Sequence, residues 1–93
     1  MNLPVNYDNL DPFSRRKVRE EYVKRQGGKC CHCMEPLDSD PCSSIKNKYI
    51  NFNLFPPNFF KWPVHLHHDH TTGMTIGAIH SKCNAVLWQY HGE

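Results

Sequence analysis

Apolar and polar positions change their rhythm several times along the chain, and the changes mark out its elements. From residue 12 to 26 apolar residues are sparse, but Val18 and Tyr22 stand four apart with Val23 beside them, in a field of charged side chains. Positions four apart share one face of a helix. Asp11 followed by Pro12 reads as an N-cap and first helical position, and Gly27-Gly28 as the stop, so the pattern predicts a helix over 12–26. Residues 35–63 follow no period of 2 or 3.6. They run through "EPLDSDPCSS" into the aromatic "YINFNLFPPNFFKWP", where Pro56-Pro57 forbids regular helix. An irregular excursion laying aromatics over the core is expected there, with Phe59, Phe60 and Trp62 read first as apolar cover for a hairpin and second as base contacts. "VHLHHDH" and "MTIGAIH" flank "TTG" and predict that β-hairpin. "SKCNAVLWQYHGE" reads as a closing helix capped by Ser81 and stopped at Gly92. The predicted order is helix, knuckle, excursion, hairpin, helix, in a single α+β domain over 1–93 whose first part, 1–28, is the basic helix.

Composition adds a requirement. A chain of 93 residues with 39% hydrophobic residues and twelve glycines and prolines (5 + 7) buries a modest core, and small cores of this kind usually need a staple. Five cysteines, two of them adjacent, make a poor disulfide framework. The start, "MNLPVNYDNL", lacks the basic and apolar regions of a secretory signal, and no apolar run approaches the roughly 20 residues that span a bilayer. A reducing, cytoplasmic setting and no membrane partner are the expectations. Net charge is only +2, yet Arg15, Arg16, Lys17, Arg19, Lys24 and Arg25 crowd one helix against two acids, Glu20 and Glu21. This is either an ordinary solvated face or a patch for phosphates.

The cysteines supply the staple. Cys30-x-x-Cys33 and His80-x-x-Cys83 have matched spacings that let two ligands converge from one turn, and together they form a Cys3His set suited to closed, tetrahedral, structural zinc. Cys31 and Cys42 have no partner at such spacing. With His80 so assigned, His65, His67, His68, Asp69 and His70 still crowd one strand end. Imidazole titrates near neutrality and binds metals, so such a cluster points to proton transfer, metal binding or both. In a regular strand His67 and His68 point to opposite faces, so a bulge or bend is required for both to serve one site.

The stretches "LHHDHTTG" and "IGAIHSKCNAVL", with the C-x-x-C before them, resemble the HNH, or ββα-metal, endonucleases, most closely the phage recombination endonuclease VII branch, over roughly residues 27–89. The resemblance implies a small ββα-metal (His-Me finger) nuclease fold over 29–93, with a zinc knuckle, an insertion at 35–63 and an N-terminal helix. It implies a phage-encoded, metal-dependent DNA endonuclease that leaves a 5′-phosphate and a 3′-hydroxyl. His68 falls on the general base, His67 and Asn84 on the ligands of a catalytic Mg2+, Mn2+ or Ni2+, and His70 on a histidine near the phosphate. Asp69 is the rival ligand. The branch has Asp where this chain has His67, a change that resembles the colicin-type nucleases, and the central Asn of many HNH proteins falls near Thr75. Arg15, Arg16, Lys17 and Arg19 are then the expected DNA-backbone contacts, and a monomer is favoured because the sequence offers no obvious long dimer helix. The alternatives are a non-catalytic zinc module that contacts nucleic acid and a junction-resolving endonuclease.

Overall fold

In a computed structural model of the chain, which describes residues 1–92, helix α1 spans Pro12–Arg25. Its start is set as the sequence predicts: the Asp11 side chain accepts from the Ser14 amide at 2.7 Å and Pro12 occupies the first turn. The Asp11 carboxyl is held below its usual pKa by that backbone bond, so the cap stays ionised. Gly27 and Gly28 end the helix with positive φ angles of 65° and 77°. Only Val18 of α1 is fully buried, in keeping with its single short apolar stripe.

The hairpin pairs strand β1 (Val64–His68) with β2 (Thr75–His80) in an antiparallel, two-stranded sheet. Its register changes at its critical point: His67 faces Gly77 but His68 faces Thr75, which leaves Ile76 as an extra residue on β2. The irregularity falls between the two histidines, with the extra residue on β2 rather than on β1. The turn is closed by Asp69, whose side chain accepts from the amides of Thr71 and Thr72 at 2.7 and 2.9 Å.

The first residues were not legible as structure, yet they form a third edge to the hairpin tip. Val5 and Thr75 exchange two bonds, Thr75 N–H to the Val5 carbonyl at 2.9 Å and Val5 N–H to Thr75 Oγ1 at 3.0 Å, and the Tyr7 amide donates to the Gly73 carbonyl at 2.7 Å. Tyr22 of α1 bonds to the same Thr75 hydroxyl at 2.8 Å. Thr75, buried, therefore ties strap, hairpin and helix together.

The excursion between α1 and the hairpin is less irregular than expected. It contains a one-turn helix α2 at Ser43–Lys46 and a 3-10 turn at Phe52–Leu54. Helix α3 runs Ser81–His91 and ends on Gly92 in the left-handed conformation, φ 71°. Ser81 is not its cap. His80 holds the N-cap position without a side-chain cap bond, because its ring is committed elsewhere, and the Ser81 amide donates to the Pro63 carbonyl at 2.8 Å. Gln89 of α3 pins the excursion by accepting from the Asn51 amide and donating to the Tyr49 carbonyl. The rings of the excursion pack edge to face: Phe55 on Phe60 and on Trp88, and Phe59 on Phe60.

The core between these pieces is built from Leu37, Ile45, Ile50, Ala78, Ile79, Ala85 and Val86 around Cys30 and Cys83. Among the described residues no helix is long and apolar enough to cross a membrane.

Gln26, just past α1, joins helix to sheet. Its amide accepts from Ala78 N–H at 2.8 Å and donates to the Ala78 carbonyl at 2.9 Å and to the Lys29 carbonyl at 2.7 Å, imitating a neighbouring strand. A Cβ on Gly77 would meet Gln26 Oε1 at 2.8 Å and the Cys31 Cβ at 3.0 Å. Gly77→Ala should therefore lower stability by roughly 1–3 kcal/mol, the usual cost of overpacking, and thermal melts of the two proteins compare this directly; an unchanged melting temperature would mean that the knuckle and Gln26 give way freely.

Candidate metal centre and histidine cleft

The turn after Gly28 folds back so that the Cys30 amide donates to the Glu35 carbonyl at 2.9 Å and the Met34 amide to the Cys30 carbonyl at 3.1 Å. This knuckle presents Cys30 and Cys33 toward the start of α3. Their sulfurs, one His80 ring nitrogen and the Cys83 sulfur all lie within 4.8 Å of one another. His80 Nδ1 sits 3.4 Å from Cys33 Sγ and 3.7 Å from Cys83 Sγ. Tetrahedral zinc, with Zn–S near 2.3 Å and Zn–N near 2.0–2.1 Å, separates sulfur and nitrogen by about 3.6 Å. The two distances bracket that value.

The surroundings suit the same tenant. His80 Nε2 lies 2.9 Å from the Pro36 carbonyl and 3.0 Å from that of Ser39, so Nε2 carries the proton and Nδ1 keeps its lone pair for a metal. Cys30 Sγ accepts from the backbone amides of His32 and His80, both at 3.4 Å. The Cys30 thiol is driven well below its ordinary pKa, first by a hydrogen bond from Cys83 and then, against burial, by the surrounding amides. The Cys83 thiol is pushed up, first because it spends its proton in that bond to Cys30, and further by burial and the Cys30 charge. Packed thiols that cannot all ionise unaided are what a divalent cation resolves, so Cys30, Cys33, His80 and Cys83 could hold a metal ion, and the geometry is consistent with structural zinc. Cys31, excluded by spacing, is outside this set; burial raises its thiol pKa to about 11.

A cleft of about 540 Å3 opens between α1, β1, the excursion and α3. His65, His67, His68, His70 and Asn84 all line it. His67 is buried, carried to the cleft by the strand just before the bulge. His68 lies flat against Tyr7, with ring centroids 3.8 Å apart and planes 7° from parallel. The Arg15 guanidinium stacks on the Tyr7 ring at 3.9 Å, and its Nε donates to the Tyr7 carbonyl. His70, exposed at the mouth, stands 4.7 Å from His68. The His68 pKa is lowered, first by burial and then by the charge of His70, with the Leu66 backbone and Asp8 acting in the opposite direction. Its Nδ1 is buried and finds no hydrogen-bond partner among the described residues. A neutral ring, able to accept a proton near neutral pH, is the result.

His65 carried no assigned role in the sequence, and it turns out to orient Asn84. Its Nε2 is 2.7 Å from the Phe59 carbonyl and must carry the proton; its Nδ1 is then an acceptor, and Asn84 Nδ2 donates to it at 3.2 Å. That sequence of bonds fixes which end of the Asn84 amide is which, and makes the oxygen, the atom a hard divalent ion takes, the end directed away from His65. Burial lowers the His65 pKa, which preserves this neutral tautomer. The available signal was the alternation that places His65 and His67 on one face of β1. Tyr7 carried no such signal.

Asp69, the rival ligand, does not line the cleft. The Thr72 and Thr71 amides that its carboxylate accepts hold its pKa below the usual range and tie it to the turn. Of the four expected DNA contacts, Arg15, Arg16 and Arg19 line the cleft and Lys17 does not; the Lys17 ammonium lies 5.4 Å from the Phe13 ring centroid instead. No family model matches the chain, and neither a curated protein nor a solved structure does.

The purified protein is expected to contain one zinc per chain by elemental analysis. Cys83→Ser should release it and lose the far-UV signal of the fold, since structural zinc in small domains is worth roughly 10–16 kcal/mol of apparent binding energy. A folded, zinc-free wild type would contradict this.

Proposed function

We propose that the protein is a metal-dependent DNA endonuclease of the HNH type, phage-encoded as the resemblance implies. The observation that carries the reading is the meeting, in one cleft, of two adjacent strand histidines, a helix asparagine and three arginines. A structural zinc module alone would need the Cys3His cluster and the arginines but has no use for His67, His68 and an oriented Asn84.

In this reading the arginines of α1 hold the backbone phosphates and position the substrate without reading its sequence. His68, neutral and held against Tyr7, takes the proton of an attacking water. The water oxygen adds to phosphorus, the bond to the 3′ oxygen breaks, and that oxygen leaves as the 3′-hydroxyl after taking up a proton, with the phosphate retained on the 5′ side. His67 and the Asn84 amide oxygen are the residues that would hold a divalent ion, which when bound supplies positive charge to the phosphate and the leaving oxygen. His65 acts through Asn84 and is a positioning residue, and His70 stands at the mouth within reach of an incoming phosphate.

The test is incubation with supercoiled plasmid, with and without added divalent metal. His68→Ala is expected to abolish nicking while DNA binding persists, whereas His67→Ala and Asn84→Ala should demand much higher metal concentrations. Because an imidazole ligand softens the site, Mn2+ or Ni2+ should support activity as well as Mg2+ or better. Wild-type cleavage by His68→Ala would overturn the assignment of the base.

The lowered pKa of His68 makes the activity pH-dependent. Activity requires its neutral form, so the rate should rise with pH along a limb whose midpoint lies below the ordinary histidine value of 6.5. His70→Gln removes a charge that depresses it and should move that midpoint upward, whatever it does to the maximal rate; pH–rate profiles of both proteins make the comparison.

A further inference from the structure

The cleft has two chemically different linings. On the α1 side stand Arg15, Arg16 and Arg19, and no aspartate or glutamate among the described residues lines the cleft. The excursion and α3 contribute Leu54, Phe55, Phe59, Trp62 and Trp88 to the same cleft. Phe55 and Phe59 are turned into the aromatic cluster and serve the fold. Trp62 and Trp88 leave large surfaces to solvent, 62% and 43% exposed, with Leu54 at 46% beside them. Both tryptophans of the chain therefore line this one cleft.

Binding a phosphodiester requires the arginines but not the tryptophans. A continuous duplex offers phosphates and base edges, because its base faces are stacked on each other. An unpaired nucleotide offers both a phosphate and a free apolar face, and exposed aromatic rings sharing a cleft with a cationic strip are complementary to that pair of groups. The cleft's size falls in the range of roughly 300–1,000 Å3 typical of sites that enclose a small molecule, enough for a base as well as its phosphate.

We propose that Trp62 is a base-stacking subsite for an unpaired nucleotide next to the phosphate held by the arginines, so that single-stranded DNA or an unpaired flap is preferred over continuous duplex. The preference rests on the nuclease reading only where it concerns cleavage; the stacking itself concerns binding.

The test uses zinc-loaded His68→Ala protein without added catalytic metal and three fluorescently labelled DNAs at one salt concentration: a single strand, a blunt duplex and a duplex with an unpaired flap. Anisotropy should rank the single strand and the flap at least about tenfold tighter than the duplex. Both tryptophans line the cleft, so intrinsic fluorescence should be quenched by the first two and little by the third. Adding Trp62→Ala, a truncation of an exposed side chain, should weaken single-strand and flap binding by at least about fivefold and leave duplex binding alone, while Trp62→Phe retains most of the affinity. Arg16→Ala with Arg19→Ala should weaken all three DNAs alike. Equal affinity for the three DNAs, or equal loss on all three in Trp62→Ala, overturns the proposal. So does a wild type that self-associates through this cleft, seen as a dimer in gel filtration that Trp62→Ala dissociates. Preferential, Trp62-dependent binding with no cleavage by the wild type in Mg2+, Mn2+ or Ni2+ would defeat the nuclease reading and leave the stacking subsite standing; plasmid cleavage without any single-strand preference would do the reverse.

Discussion

The convergence of Cys30, Cys33, His80 and Cys83 within 4.8 Å is the constraint on which the rest of the molecule depends. The core it anchors is small, and its central side chains, Ala78, Ile79, Ala85 and Val86, flank the cluster on β2 and α3. Hydrophobic burial on this scale leaves little margin over the entropy of ordering a chain with so long an excursion. A cation held by residues 50 apart in sequence, as Cys30 and His80 are, would close that excursion and fix the junction between β2 and α3 at once. The position of that junction has a consequence for the cleft. Asn84 follows Cys83 by one residue, which on a helix is a turn of about 100°, so the helix that brings Cys83 to the knuckle also carries Asn84 to His65 on β1.

The hairpin makes a second use of a single irregularity. Ile76, unmatched on β2, shifts the pairing between His67 and His68, and both histidines line the cleft. The strap of residues 5–7 then completes the environment of the second one. By bonding along the hairpin tip it brings Tyr7 against both Arg15 and His68, which excludes water from one face of the imidazole and keeps a guanidinium close without forming an ion pair. Burial and neighbouring cations act in the same direction, toward a neutral ring.

The excursion at 35–63 acts on the site twice. It covers the hairpin with aromatic rings, and it delivers the Phe59 carbonyl to His65, where one backbone oxygen selects the tautomer that orients Asn84. Structural cover and site organisation are therefore the same segment, and its exposed ring, Trp62, lines the cleft that the arginines also line.

How much of this was legible varies with how local the cause is. The limits of α1, the hairpin, the stop at Gly92 and the Cys3His set depend on side chains acting within a turn or at a short fixed spacing, and Asp11, Pro12, Gly92 and the two C-x-x-C-like pairs declare them without reference to the rest of the chain. The capping of α3 was misread for the converse reason: Ser81 has the right chemistry, but His80 owns the cap position once its ring is drawn into the cluster. Composition makes Asp69 a candidate ligand, and it cannot tell that the Oδ1 of this carboxylate already accepts from two turn amides. The helix stripe that could have carried Lys17 to the cleft with Arg15, Arg16 and Arg19 is resolved only by how α1 docks on the sheet. The strap, the Tyr7 stack and the His65–Asn84 bond were beyond reach, since each joins residues from different elements through contacts that exist only after the chain has closed. Local chemistry and spacing, which the chain carries in any conformation, determined the elements and the donor atoms. Their orientation and protonation were decided by tertiary structure, because a tautomer, a bulge and a desolvated face are properties of the neighbours that folding brings together.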